Sequence, residues 1–409
     1  MVNILLWTAM IFPIVLLLLM IGAWLYGYYW PDKVPIPAER PSKGFQPVSE
    51  LDDVAILIAC RNGEKSIAST IRSGLRNGCD VYVVSDASTD ATVKVAKSAG
   101  ALVLGLRKNI GKPAALHRGY KKFSLGSRYR AVAILDDDVQ IADDFIVKCL
   151  EQFGPDTAIV VGKNITEWPK DRRWNIWLAK RAFSYWNYQL VIRRIQSIFG
   201  VMNCISGSNS VYRTELLDDI LPMPPPYIVD DTFWVLETQR RKLGEIVYAP
   251  KARAYLQDPT NLHDWYHQNL RWLWGTFQGI LGHRVGRVRS RFDFAYVVLM
   301  IQWFVYIAGT PVTLWFAYLA IVDSPVIALI FISIYCLWIF AAAIVLGHPQ
   351  LVILAPAIIV VDLIYRVIFV HALIKAIRQP TVQSCKWVSP TRFATSPVTA
   401  QLFQLKEVR

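Results

Sequence analysis

The sequence predicts an α/β domain built on a mostly parallel sheet and set between membrane-spanning ends. Three observations carry this. Apolar runs of strand length alternate with helix-like runs from Val54 to Leu135. Apolar stretches of about 20 residues, enough to cross a bilayer, flank that region on both sides. Charge is concentrated between them, although 54% of the 409 residues are hydrophobic and mean hydropathy is +0.32.

The elements follow in order. Ile4–Tyr26 is apolar apart from Thr8 and glycine and runs into Trp24, Tyr26, Tyr28, Tyr29 and Trp30, ring types that favour a membrane interface. It lacks the basic start and small-residue cleavage site of a signal peptide, so residues 1–30 are assigned to an uncleaved span. Residues 31–50, rich in proline and polar side chains, read as a linker. Within the domain assigned to residues 51–260, Val54–Cys60, Val81–Val84, Ala101–Leu104 and Ala131–Leu135 read as strands. Ser66–Leu75, Ala91–Ser98 and Ala114–Phe123 read as the intervening helices. Alternation of this kind gives a sheet whose ligands bind beyond the C-terminal strand ends.

Trp168–Ile198 mixes aromatic rings with Lys170, Arg172, Arg173, Lys180, Arg181, Arg193 and Arg194. That composition suits either a helix lying in a membrane interface or a large core helix. Residues 261–294 are assigned to further interface helices, and residues 295–375 to about three spans: Ala295–Val322, Val326–Leu346 and Leu351–Ile374. His283, Arg284, Arg287, Arg289 and Arg291 precede the first of these, which places the catalytic domain on the cytoplasmic side of a multi-pass protein of the cell membrane. Three spans put the tail, residues 376–409, outside, yet its Lys and Arg content favours the inside. Either one segment is re-entrant or the tail is external despite its charge. The net charge of +13 is assigned to membrane lipids and phosphate-bearing substrates, with no nucleic-acid partner. The six scattered cysteines form no CxxC pair, which excludes a zinc or disulfide framework as the organising element.

The chemistry concentrates in four places. Asp136-Asp137-Asp138 follows an apolar strand, and bunched carboxylates need a compensating cation. Asp136 and Asp138 can point the same way and suit Mg²⁺ or Mn²⁺ shared with a diphosphate; the alternative is a solvated acidic loop. Asp86 and Asp90 follow a second strand, with Asp86 placed to reach a ligand and Ser88, Thr89 or Asp90 to cap the next helix. Val229-Asp230-Asp231 follows a proline-rich segment and offers a general base or a helix cap. Gln268, Arg271 and Trp272 share one helical face, an amide, a fork of donors and a ring suited to sugar and phosphate. His263 and His267 have helical spacing for a metal but no third ligand. No P-loop or GxGxxG is present.

Taken in order, these segments resemble the inverting family 2 glycosyltransferases of the membrane-bound synthase type, which make hyaluronan, chitin, cellulose and poly-N-acetylglucosamine. The resemblance runs from Val54 to Gly275. It implies a GT-A-type nucleotide-sugar domain between transmembrane helices, a UDP-sugar donor, and a polysaccharide or lipid-linked acceptor. Arg61, Asn62, Glu64, Asp86, Lys112, Asp136 and Arg271 are then expected at the donor, with Asp138 and Asp136 on the Mg²⁺ or Mn²⁺. Ser206, Gly207, Gln268 and Trp272 are expected at the acceptor, with Asp231 as base beside Asp230. Two positions depart from the family pattern: Ser85 stands where an acid is usual, and Val229 where Thr, Ser or Gly is usual. The rival functions are single-sugar transfer to a lipid carrier and, with Asp362, Arg366 and His371 as the ionisable groups of a pathway, a non-catalytic transporter.

Overall fold

The computed structural model describes residues 45–198, 200–285 and 325–382, with isolated positions between 292 and 318. The expected span Ile4–Tyr26, most of the linker, most of Ala295–Val322 and nearly all of the tail lie outside the described residues.

Eight strands form one sheet: β1 Val54–Cys60, β2 Asp80–Ser85, β3 Leu102–Gly105, β4 Ala131–Leu135, β5 Val139–Ile141, β6 Thr157–Thr166, β7 Asn209–Arg213 and β8 Glu245–Leu256. Their spatial order is β3-β2-β1-β4-β7-β6-β8-β5. The first four are parallel, as the alternating sequence predicts, because α1 (Ile67–Arg76), α2 (Thr92–Ser98) and α3 (Lys112–Lys122) supply the crossovers. The sheet as a whole is mixed: β7 runs antiparallel to β4 and β6, and β5 antiparallel to β8. This departs from a mostly parallel expectation because β5 and β7, short runs amid loops, carry no alternation signal.

The topology explains the acidic triplet. β4 lies mid-sheet and β5 at the far edge, so the chain must leave the sheet between them, at Asp136–Asp138. The strands β1, β2 and β4 are almost wholly buried, as continuous apolar runs covered on both faces should be.

Beyond the first crossovers come α4 (Phe145–Leu150), α5 (Ile176–Tyr188), α6 (Thr214–Ile220), α7 (Asp230–Arg240), α8 (Leu262–Gly282), α9 (Pro325–Leu346) and α10 (Ala355–Arg378). Asn175 caps α5 by accepting from the Trp177 and Leu178 amides, and Asn261 caps α8 through the Asp264 amide. α5 buries Leu178, Ala179, Lys180, Arg181, Ala182, Phe183 and Trp186, so it is packed within the protein along much of its length. It joins α8 and α10 through rings: Trp177 lies 5.4 Å from Trp265, and Trp265 lies 6.2 Å from Tyr365. Asp362 pairs with Lys180 of α5 and, at 3.7 Å, with Arg366 one turn along its own helix. These intrahelical charges are therefore a packing device between helices.

Among the described residues one helix, Ala355–Arg378, is long and apolar enough to cross a membrane, and Cys336–Leu346 is a shorter apolar stretch. Leu337, Phe340, Ile344, Val345, Val360 and Val367 of α9 and α10 are exposed.

Candidate active site

The site is built at the C-terminal ends of the parallel strands. Asp86, directly after β2, is buried and accepts from the Ile110 and Gly111 amides, both at 2.8 Å. Those amides lie just ahead of α3, at an N-terminal end where unpaired N–H groups and the helix dipole favour a carboxylate. Lys112, the first residue of α3, is thereby aimed across the sheet end. Its Nζ donates to Asp136 Oδ1 at 2.6 Å and to the Gly207 carbonyl at 3.4 Å. Burial works against the lysine's charge, but Asp136, Asp230 and Asp231 outweigh it and hold its pKa above the ordinary lysine value.

The loop before β7 carries the second wall. The Gly207 amide donates to Asp231 Oδ2 at 3.0 Å. A Cβ on residue 207 would sit 2.6 Å from that oxygen, so glycine is what lets the backbone come this close. Ser206 Oγ pairs with Ser208 Oγ at 2.7 Å, and its carbonyl accepts from Ser210 Oγ, which fixes the loop.

Asp230 and Asp231 open α7. Neither caps through its own side chain, since the N-cap position is Val229. Val229 is buried and packs on α8 at Gly275, where a Cβ would stand 2.5 Å from the valine Cγ2. The departure at Val229 is thus absorbed by a glycine on the neighbouring helix. Asp231 has its pKa pushed up to about 6, by burial first and then by Asp230; Lys112, Arg271 and the Gly207 amide pull the other way. Asp230 Oδ2 is buried with no hydrogen-bond partner among the described residues.

Of the three acids after β4, Asp137 is engaged by β1 and α1. It is buried, accepts from Cys60 Sγ at 3.2 Å, and its carbonyl accepts from Thr70 Oγ1. Asp138 lies near Glu167, a buried residue just after β6, whose pKa is raised to about 7 by burial and then by the charge of Asp138. Glu167 Oε2 has no hydrogen-bond partner among the described residues. Among the described residues no group of three His, Cys, Asp or Glu side chains could hold a metal alone. The available carboxylates instead fit a cation that keeps water and diphosphate oxygens among its ligands, the usual state of Mg²⁺.

Asn62 and Glu64 knit two loops together in this structure. Asn62 Oδ1 accepts from the Thr89 amide at 2.9 Å, and Glu64 Oε2 from the Ala91 amide at 2.9 Å. Arg61 stands exposed beside them. These contacts hold the loops after β1 and β2 around Asp86.

The face of α8 carrying Gln268, Arg271 and Trp272 is organised by a residue that no motif marks. Arg181 of α5 is 5% exposed and forms an ion pair with Asp258 at 3.2 Å. Its guanidinium donates to Gln268 Oε1 at 2.5 Å and Asn269 Oδ1 at 3.2 Å, and its centre lies 4.5 Å from the centroid of the Trp272 ring. Burial is the main reason the Asp258 carboxyl is pushed up to about 6, with Arg181 opposing. In sequence, Arg181 is one cation in a basic, aromatic stretch, and Glu167 a lone acid; only the fold assigns them partners.

The fold and the matched region make this chain a glycosyltransferase. It belongs to Glycosyltransferase like family 2, matched over residues 52–275, and its mixed α/β sheet is GT-A-like. Among similar proteins is a poly-beta-1,6-N-acetyl-D-glucosamine synthase of Staphylococcus aureus, 25% identical over 265 residues. That match spans 62% of this chain and 62% of the synthase's own length. A synthase of the same description from Staphylococcus epidermidis is 27% identical over 244 residues, 57% of this chain and 56% of its own. Among solved structures, Mycobacterium tuberculosis glucosyl-3-phosphoglycerate synthase with Mg²⁺ and UDP has a TM-score of 0.39 at 16% identity, over 58% of this chain and 85% of its own. Staphylococcus aureus TarS has a TM-score of 0.38 at 15% identity, over 81% and 93%.

Proposed function

We propose that this glycosyltransferase moves a sugar from a UDP-sugar to a hydroxyl of a growing polysaccharide at a membrane, inverting the anomeric centre. The observation that carries this reading is the setting of Asp231: a carboxylate with its pKa lifted toward neutrality, held by the Gly207 amide and flanked by the charges of Lys112 and Arg271. A base is most effective when its pKa lies near the working pH.

In this mechanism Asp231 takes the proton of the acceptor hydroxyl as that oxygen attacks the anomeric carbon. The nucleotide diphosphate leaves from the opposite side, so one displacement inverts the centre. Lys112 and Arg271 face the charge that grows on the leaving group. Asp138, with Asp136 near, would hold Mg²⁺ or Mn²⁺, which when bound supplies charge neutralisation at the diphosphate. Asp86 sets the start of α3 at the nucleotide edge, beside Arg61, Asn62 and Glu64. Ser206, Gly207 and Gln268 line the acceptor side, and Trp272 offers its ring to a sugar face.

The synthase relatives make N-acetylglucosamine the first donor to try. The exposed apolar side chains of α9 and α10 support a membrane setting, because exposure of such side chains in water carries a cost that lipid removes. The test is UDP release by the purified chain with UDP-N-acetylglucosamine and other UDP-sugars, with Mg²⁺ or Mn²⁺, and product length on denaturing gels. Long products fit polymer synthesis. Products one sugar longer than the acceptor would make this a single-transfer enzyme, and no UDP release from any donor would reject the reading.

A further inference from the structure

We infer that Arg181 is a positioning residue that sets the acceptor platform formed by Trp272 and Gln268. The inference rests on the reading of Trp272 as an acceptor contact. Nothing in the sequence motifs assigns Arg181 a role, and it touches none of Lys112, Asp136 or Asp231 by any described contact.

The geometry is specific to a planar, forked cation. One guanidinium lies over the Trp272 indole, donates to Gln268 and Asn269 on α8, and pairs with Asp258 in the loop after β8. Gln268 and Trp272 are one turn apart on one helical face, so a single plate fixes both at once. Tyr185, one turn along α5, donates to Asp258 at 3.3 Å and holds the counter-ion in place. Asn269 is 3% exposed and also ties its side chain to the Trp265 carbonyl, which anchors the far end of the fork. Lysine could keep the ion pair with Asp258. It could not cover a ring or donate in two fixed directions.

The neighbouring residue gives the arrangement a second anchor. Lys180 pairs with Asp362 of α10. Adjacent residues of α5 therefore grip the apolar helix and the platform, so the platform's orientation is referred to the helix that supports the membrane reading.

The test uses the full chain in detergent or nanodiscs, with UDP-N-acetylglucosamine, UDP alone as donor-site probe, and N-acetylglucosamine oligomers as acceptor. Arg181→Lys should raise the acceptor KM about tenfold, in line with a lost cation–ring contact and fork, and shorten the products, while UDP affinity stays at the wild-type value. Asn269→Ala, which removes a buried anchor behind the platform, should move the acceptor KM the same way by about threefold. A structural role alone would lower the melting temperature and leave the acceptor KM untouched. Wild-type acceptor KM and product length in Arg181→Lys, or in Asn269→Ala if the first variant does not fold, would overturn the inference. Trp272→Ala separates the two levels. If it leaves the acceptor KM unchanged, the acceptor reading itself fails; if it raises it while both Arg181→Lys and Asn269→Ala do not, only the role of Arg181 fails.

Discussion

The Gly207 amide donates to Asp231 Oδ2 at 3.0 Å, and the same glycine's carbonyl accepts from Lys112 at 3.4 Å. One residue without a side chain thus links the proposed base to Lys112, the cation proposed to face the leaving group. Gly207→Ala tests the link. Its Cβ would meet the carboxylate at 2.6 Å, so the loop or Asp231 must shift. Transfer should fall by about 10²-fold, as expected when a reacting group is displaced by an ångström. UDP affinity should hold, and titration calorimetry beside a rate assay would check both.

The acid side of the pH profile should report Asp231. Its pKa is raised to about 6 by burial and by Asp230, and only the ionised form accepts a proton. The kcat/KM should therefore fall as pH drops through about 6. Asp230→Asn removes a raising charge, so the limb should move to lower pH. A limb that stays in place would exclude Asp230 as a cause. The stability sign is opposite: a carboxyl raised on folding favours the folded state at low pH and loses that contribution as pH climbs through the folded value.

Asp231→Asn should fold, bind UDP as the wild type does and lose transfer by about 10²–10⁴-fold, the usual share of general-base catalysis. Asp231 makes no side-chain cap for α7, whose N-cap is Val229, so a cap loss of about 1 kcal/mol is not expected on thermal melting. Near-normal transfer would move the base elsewhere, with Asp230 the first alternative.

Part of this site is legible in the sequence because strand ends and helix starts leave local signatures at Asp86, Asp136 and Asp231, whereas Lys112 and Gly207 are read only through the family resemblance. β1 and β4 fall at Val54–Cys60 and Ala131–Leu135, the bounds read from their apolar runs. Lys112, Asp136, Gly207 and Asp231 come from four separate segments, and the fold brings them to one mouth. What the sequence could not show is partnership across the chain. Asp137 looks like its two neighbours, but the bend between β4 and β5 turns it toward Cys60. Arg181 is one of many cations beside aromatic rings, and it becomes distinct only when α8 packs against α5. The antiparallel pairing of β7 was also hidden, because β-pairing direction depends on the connection rather than on composition.

The proposed function predicts metal dependence through the acids after β4. UDP release should stop with EDTA and return with Mg²⁺ or Mn²⁺. Asp138→Asn should lower activity by more than Asp137→Asn lowers it, because the Asp137 carboxylate is engaged by Cys60. The Asp137 variant should instead lose stability, by about 1–3 kcal/mol for a disturbed buried bond. Full activity in EDTA would remove the metal from the mechanism.

The last prediction concerns Lys180 and Asp362, which join α5 to α10. Lys180 has a side chain only 7% exposed and Asp362 one 19% exposed, and Asp362 also faces Arg366. Asp362→Leu leaves two cations near an apolar helix without their carboxylate. Breaking a buried pair from one side costs about 3–5 kcal/mol, whereas replacing both partners by apolar groups is often neutral. Asp362→Leu should therefore melt well below the wild type, and Lys180→Met with Asp362→Leu should recover part of the loss, since Arg366 has still lost its contact with Asp362. Donor affinity should stay unchanged in both variants, since neither residue contacts Lys112 or Asp136 by any described interaction. Equal melting temperatures for the single variant and the wild type would show that the pair adds nothing to the packing of α5 on α10.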